Sequence, residues 1–239
     1  MALPKIDTPI YELELPLSKK VIKFRPFLVK EQRNLLMAME SDDKDTIEKS
    51  IQQVLNNCTL TEGIVIGELP ILDVEYYFIN LRARSVGEVV ESKYRCENKV
   101  NDTTCGNMMD SKFNLLDIKV QMPENVSDTI QLNDKLSIKM RYPQFSVISS
   151  DTDNSTDLVF TMIANSIESI FDGQQYYYAK EYTKLELLEF IESLNQEQFN
   201  KIEEFFNNMP TLNKKIEMTC SRCGFHHEIN AEGLDSFFA

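Results

Sequence analysis

Four cysteines set as two distant pairs constrain this chain more than any other feature. Cys96 and Cys105 stand in YRCENKVNDTTCG, Cys220 and Cys223 in MTCSRCGFHHEI. Each pair is entered from strand-like sequence and ends in Cys-Gly. A structural zinc site takes four tetrahedral thiolate or imidazole ligands, and a ribbon presents them two at a time on tight turns. Glycine after the second cysteine lets the backbone turn there. CSRCG has that form. The first pair departs from it, because eight residues separate Cys96 from Cys105 where two to four are usual. The intervening ENKVNDTT is expected to bulge outward and return Cys105 to the metal. One site holding all four sulfurs would tie position 96 to position 223 and fix the topology of most of the chain.

Other readings of these residues compete. Four unrelated thiols would need no common site, but two strand-entered Cys-Gly pairs argue for a shared one. A dithiol redox role for Cys220 and Cys223 would place the motif at the start of a helix beside a parallel sheet, whereas GFHHEI reads as a strand. The N-terminal MALPKIDTPIYELELPL lacks the basic and continuous apolar segments of a secretory signal. A reducing compartment is therefore expected, in which paired cysteines serve metals rather than disulfides. Cys58 ends an apolar-periodic stretch and reads as a buried thiol. His226 and His227, adjacent on a strand, point to opposite faces, so one of them at most can reach a cysteine sulfur as an outer partner.

The 239 residues carry a formal net charge of −13 and are 42% hydrophobic, enough for a large core. The negative balance opposes a primary role in gripping nucleic acid or an anionic membrane, and no dense Lys/Arg run offsets it. With only 7 glycines there is no phosphate-cradling motif. No catalytic nucleophile–base set stands out. Acidic pairs such as Glu203-Glu204 lie on solvated faces.

Periodicity outlines an α+β chain. YELELPL and VIKFRPF alternate as strands. Helices are expected over 29–40, 43–57 and 71–84, the last with Pro70 at its start and Arg82 and Arg84 in its last turn. EVVESKYRC reads as a strand delivering the first cysteine. Residues 111–148 read mostly as strands, with a hairpin turn at Asn133-Asp134. SSDTDNSTD, 149–157, reads as a linker or helix entry. Helices follow over 158–170, 184–194 and 196–207, and the second cysteine pair lies between two strands. The expected architecture is antiparallel strands with a zinc-ribbon-like four-cysteine module, an N-terminal helical region and an inserted β-hairpin/helical subdomain. The expected divisions are 1–95, 96–148, 149–211 and 212–239. Tyr176, Tyr177 and Tyr178, like Phe237 and Phe238, cannot all face one core, and so are candidates for contact with a partner.

The runs LPKIDTPIYELELPLSKKVIKFRPFLVKEQRNLLMAME and LPILDVEYYFINLRARSVGEVV, with the later CSRCGFHHEI, resemble the small baseplate-hub and hub-assembly protein family of T-even-type contractile-tailed phages. The resemblance implies a late viral protein of tail baseplate-hub assembly, structural or chaperone-like rather than enzymatic. It implies other hub proteins as partners, and a place in the infected host's cytoplasm or the virion baseplate. The competing class is a zinc-ribbon adaptor for nucleic acid or the transcription machinery, which the charge opposes.

Overall fold

The computed structural model describes residues 7–41, 43–123, 127–147 and 155–232. Its first unit begins with an antiparallel pair, β1 (Tyr11–Glu14) and β2 (Val21–Phe24), in which Tyr11 faces Phe24 and Glu14 faces Val21. Helices α1 (Val29–Glu40) and α2 (Lys44–Cys58) follow. At the start of α1, Glu31 reaches back to accept the Leu28 N–H at 2.7 Å, and Asp43 caps α2 by accepting from Thr46. Cys58, at the end of α2, is fully buried, and burial pushes its thiol up to about 11.

Helix α3 (Ile71–Ser85) is central. A helix with apolar residues on most of its circumference must be buried on more than one side. Val74, Tyr77, Phe78 and Leu81 join Phe24, Leu55 and their neighbours in one core, while Leu72, Ile79 and Ala83 join a second. The expected helix over 71–84 is thus present and supplies the wall shared by two cores.

The second core lies under two hairpin arms. The first arm is β3 (Val89–Arg95) with β6 (Met108–Asn114), in register from Val89↔Asn114 to Arg95↔Met108. Between them stand two very short strands, β4 (Lys99–Val100) and β5 (Thr103–Thr104). A turn of 3₁₀ helix at Leu115–Asp117 leads to β7 (Lys119–Gln121).

The chain then builds a third unit. It contains β8 (Thr129–Gln131), β9 (Ser137–Met140), α4 (Ser155–Ser166), β10 (Ile167–Phe171), β11 (Tyr176–Tyr178), α5 (Lys184–Glu192) and α6 (Gln196–Asn207). The strands form one antiparallel sheet in the order β11-β10-β9-β8. Ile130, Ile138, Ile170 and Tyr177 are successive cross-strand partners and make a single apolar row across it. Ile163, Leu187, Ile191, Ile202 and Phe205 pack against this row from the helices. Asn133 makes the expected turn, its side-chain oxygen accepting from Lys135 and Leu136.

One expected element is corrected. The helix expected over 158–170 ends at Ser166, and Ile167–Phe171 is a strand. Helical spacing continues through IESIF, but β9 offers an unpaired edge and these residues are β-branched or aromatic at most positions, so sheet pairing wins. Of the stretch 149–157, residues 149–154 lie outside the described residues, and 155–157 open α4.

The second arm closes the molecule: β12 (Thr211–Thr219) with β13 (His226–Glu232), in register from Thr219↔His226 to Asn213↔Glu232. β12 also pairs with β7, giving a sheet of order β13-β12-β7. Leu212 and Ile216 of β12 meet Val90 and Phe113 of the first arm in the second core. The architecture is α+β with antiparallel sheets. Among the described residues, no helix is long and apolar enough to cross a membrane.

Candidate metal centre

The two arms end side by side, and each tip is a cysteine turn. On the second arm, Cys220 donates its N–H to the Phe225 carbonyl and Gly224 donates to the Cys220 carbonyl, both at 2.9 Å. Gly224 takes φ +72°, a left-handed conformation that glycine adopts without strain. The first arm repeats this framework. Cys96 donates to the Asn107 carbonyl at 2.8 Å, Gly106 donates to the Cys96 carbonyl at 2.9 Å, and Gly106 has φ +65°.

The long first loop does project outward and return Cys105 to the group, but as an ordered hairpin. Its middle is the β4–β5 hairpin, turned at Asn101 (φ +49°) and Asp102 (φ +60°). Two consecutive left-handed residues are the mark of a type I′ turn, for which Asn and Asp are suited. At the base of the hairpin the Cys105 N–H donates to the Asn98 carbonyl at 2.8 Å. That bond sets Asn98 beside Cys105.

All four sulfurs converge, with the ligand atoms of Cys96, Cys105, Cys220 and Cys223 within 4.8 Å of one another. Cys96 Sγ lies 3.6 Å from Cys223 Sγ, and Cys105 Sγ lies 3.8 Å from Cys220 Sγ. A disulfide needs sulfurs about 2.05 Å apart, and all four cysteines are free. Tetrahedral coordination at a metal–sulfur distance of about 2.3 Å puts the sulfurs roughly 3.8 Å apart, the spacing of the Cys96–Cys223 and Cys105–Cys220 pairs, so the four could hold such an ion. Cys96 and Cys220 are buried, and Met109, Met218 and Tyr94 form an apolar wall around the group.

Hydrogen-bond donors surround the sulfurs. The Cys220 thiol is lowered to about 6, chiefly by the backbone N–H of Cys223, against burial and helped by the Arg222 amide and the Asn107 side chain. The Cys223 thiol is also lowered, first by the Phe225 amide and then by Asn98. Burial pushes Cys96 up to about 12, against the Asn98 amide. Asn98 Nδ2 donates to Cys223 Sγ at 3.6 Å and Asn107 Nδ2 to Cys220 Sγ at 3.5 Å. His227 Nε2 stands 3.2 Å from Cys96 Sγ, while Thr219 Oγ1 engages His226 Nδ1, so the two histidines divide as strand alternation requires. Arg222 Nη1 donates to the Cys105 carbonyl at 3.0 Å and ties the second turn to the first. Sequence reasoning missed Asn98 and Asn107. Their only signal was position, each lying within two residues of a cysteine.

The aromatic candidates are split by β11. Tyr177 faces the third core and donates its hydroxyl to Asp172, whereas Tyr176 (60% exposed) and Tyr178 (47%) face out. The outer pair stacks at 6.3 Å, with Phe171 4.6 Å from Tyr176. Phe237 and Phe238 lie outside the described residues.

The chain as a whole is similar to a known protein. The baseplate hub assembly protein gp26 of Enterobacteria phage T4 is 25% identical over 229 residues, covering 95% of this chain and 97% of that protein. No solved structure matches. The family described as T4 bacteriophage base plate protein matches residues 8–239, and the chain belongs to that family.

Proposed function

We propose that this chain is a non-enzymatic component of phage baseplate-hub assembly, acting through protein–protein contacts and held in shape by one structural zinc ion. The observation that carries the reading is the end-to-end similarity to a hub assembly protein, which spans almost the whole of both chains. A part that works by contact needs preformed surfaces, since rigidity lowers the ordering cost of association. The four cysteines supply that rigidity where the two arms meet: Cys96, Cys105, Cys220 and Cys223 would hold the ion, and the ion would lock both arms across the second core. Asn98, Asn107 and His227 fix the sulfurs as outer partners. Tyr176 and Tyr178 form a further contact surface on the third unit, and Phe237 and Phe238 belong to the same class of candidate.

Infection with a phage lacking this chain tests the role. Hub precursors should fail to mature, and supplying the chain in trans should restore them. Normal baseplates in its absence would refute the proposal. Assay of finished particles then separates the two forms of the role: presence in the particle marks a structural component, and recovery with precursors alone marks a chaperone. Metal analysis of protein purified without chelator should find about one zinc per chain.

A further inference from the structure

Helix α1 buries one side against the protein and leaves a second apolar side uncovered. Glu31, Leu35 and Ala38, at helical spacing, form the buried side, with Leu35 in the first core. A helix turns by about 100° per residue. The side opposite these three is therefore made of Val29, Arg33, Leu36, Met37 and Glu40, and all five are exposed. Val29 is 81% exposed, Leu36 52% and Met37 57%. They share less than about a third of the helix circumference over three turns, so they form one continuous stripe. Apolar residues scattered singly need no explanation, but an apolar stripe on a single helix face marks a contact surface.

The two charges on the stripe are placed symmetrically about its apolar centre. Arg33 stands three residues before Leu36, and Glu40 three residues after Met37. Among the described residues neither has an ionic partner. Lys30, at the margin of the stripe, is engaged by Glu31 at 3.5 Å. Glu40 lies in the last turn, where the helix dipole disfavours an acid, and no basic residue in that turn offsets it.

A stripe of this form is complementary to itself. Let a second α1 lie antiparallel across it, with a two-fold axis passing between Leu36 and Met37. Leu36 then meets Met37 of the partner subunit, and Arg33 meets Glu40 of the partner subunit. The axis repeats both contacts, as an isologous interface requires. Glu40 gains the cation that its own last turn lacks, and each helix N-terminus lies beside the other's C-terminus. A parallel pairing would instead set Arg33 beside the partner subunit's Arg33.

We propose that the outward face of α1 is the docking surface for a second copy of this chain, in an antiparallel helix pair centred between Leu36 and Met37. Two three-turn helices make a small interface, of the class below about 1,200 Å² that serves weak and transient association. The net charge of −13 on each copy opposes approach, but physiological salt screens exposed charges beyond about 8 Å. The pairing depends neither on the hub reading nor on the metal site.

Sedimentation equilibrium of the full chain at physiological salt, from micromolar to millimolar concentration, tests the pairing. The mass should rise from one chain to two and no further. Leu36→Glu and Met37→Glu should each weaken the dimer at least about 30-fold, the loss expected at a contact hot spot. Arg33→Glu and Glu40→Arg should each weaken it about tenfold, because each reversal sets like charges together at both ends. The two reversals combined should return association to within about threefold of the parent, since each mends the clash made by the other. All four positions are exposed, so the variants should keep the parent's thermal midpoint; if a glutamate variant at Leu36 or Met37 melts early, the charge reversals decide alone. A single chain at every concentration would overturn the proposal. So would a dimer that Leu36→Glu and Met37→Glu both leave intact, which would lie elsewhere on the surface. Failure of the combined reversal to restore the dimer would overturn the antiparallel register. A monomeric chain whose binding to purified hub complexes falls on Leu36→Glu would give the face to a different protein and overturn the second copy.

Discussion

Asp73, fully buried in the first turn of α3, accepts the Leu17 N–H at 2.8 Å with one carboxylate oxygen, while the other oxygen takes Ser18 at the same distance. The β1–β2 turn, in which Lys19 holds φ +56°, is thereby pinned to the central helix. Replacing Asp73 by alanine strands two backbone donors at once. The expected cost is about 2–4 kcal/mol, since each unsatisfied buried group costs about 1–3 kcal/mol. Urea unfolding of Asp73→Ala against the parent protein measures it, and a difference under about 1 kcal/mol would show that water replaces the carboxylate freely.

Glu31 gives a pH dependence of defined sign. Burial opposes its charge, but the Leu28 amide and Arg25, 3.2 Å away, outweigh it and hold the carboxyl below its ordinary 4.5. A depressed carboxyl stabilises the fold above its unfolded-state value, and that contribution is lost as pH falls through the folded-state value. Glu31→Gln should therefore cost about 1.5–3 kcal/mol near neutrality, as expected for hydrogen bonds to a charged group. The cost should shrink steadily below pH 4.5. Denaturant melts of both proteins across acidic pH would show the curves converging; parallel curves would contradict the assignment.

Thiol chemistry should separate the five cysteines into four and one. With metal bound, all should react slowly with a disulfide reagent. Chelation should release the four clustered thiols, with Cys220 among the first because its thiol is lowered to about 6. Cys58, buried and pushed up to about 11, should react only on unfolding. Early reaction of Cys58 would mean that α2 separates from the first core once the metal leaves.

The isoleucine row of the third unit predicts a core energetic effect. Ile138 is completely buried and faces both Ile130 and Ile170. Ile138→Ala should destabilise by about 2–5 kcal/mol, the range for large-to-small changes in a packed core. Calorimetry of the variant would check this, and a near-neutral result would mean that α4 and α6 close over the gap.

Much of this structure was legible in local sequence. Strand alternation in YELELPL, the dipole-matched charges of α3 and the Cys-Gly endings all encode their own neighbourhood, and each element formed where its pattern lay. Ile167–Phe171 could not be read that way, because the edge that makes it a strand belongs to β9, far back along the chain. The first cysteine loop failed for a different reason. Val100-Asn101-Asp102-Thr103 carries the turn signal, but with no more than two residues in each flanking strand, periodicity had nothing to repeat. Convergence of the four sulfurs followed from treating both pairs as halves of one ribbon; the side-chain amides of Asn98 and Asn107 follow only from their distances to the sulfurs.

The separation of the two cysteine turns along the chain orders events during synthesis. When Cys105 leaves the ribosome only half a ligand set exists, and the third unit must be made before Cys220 and Cys223 follow. Two sulfurs hold a metal ion far less tightly than four. Closure of the site thus reports that the interposed unit has been completed and has brought its two ends together. Under the zinc reading, a nascent or prematurely ended product would lack the late pair, and with it half of the sulfurs that would hold the ion.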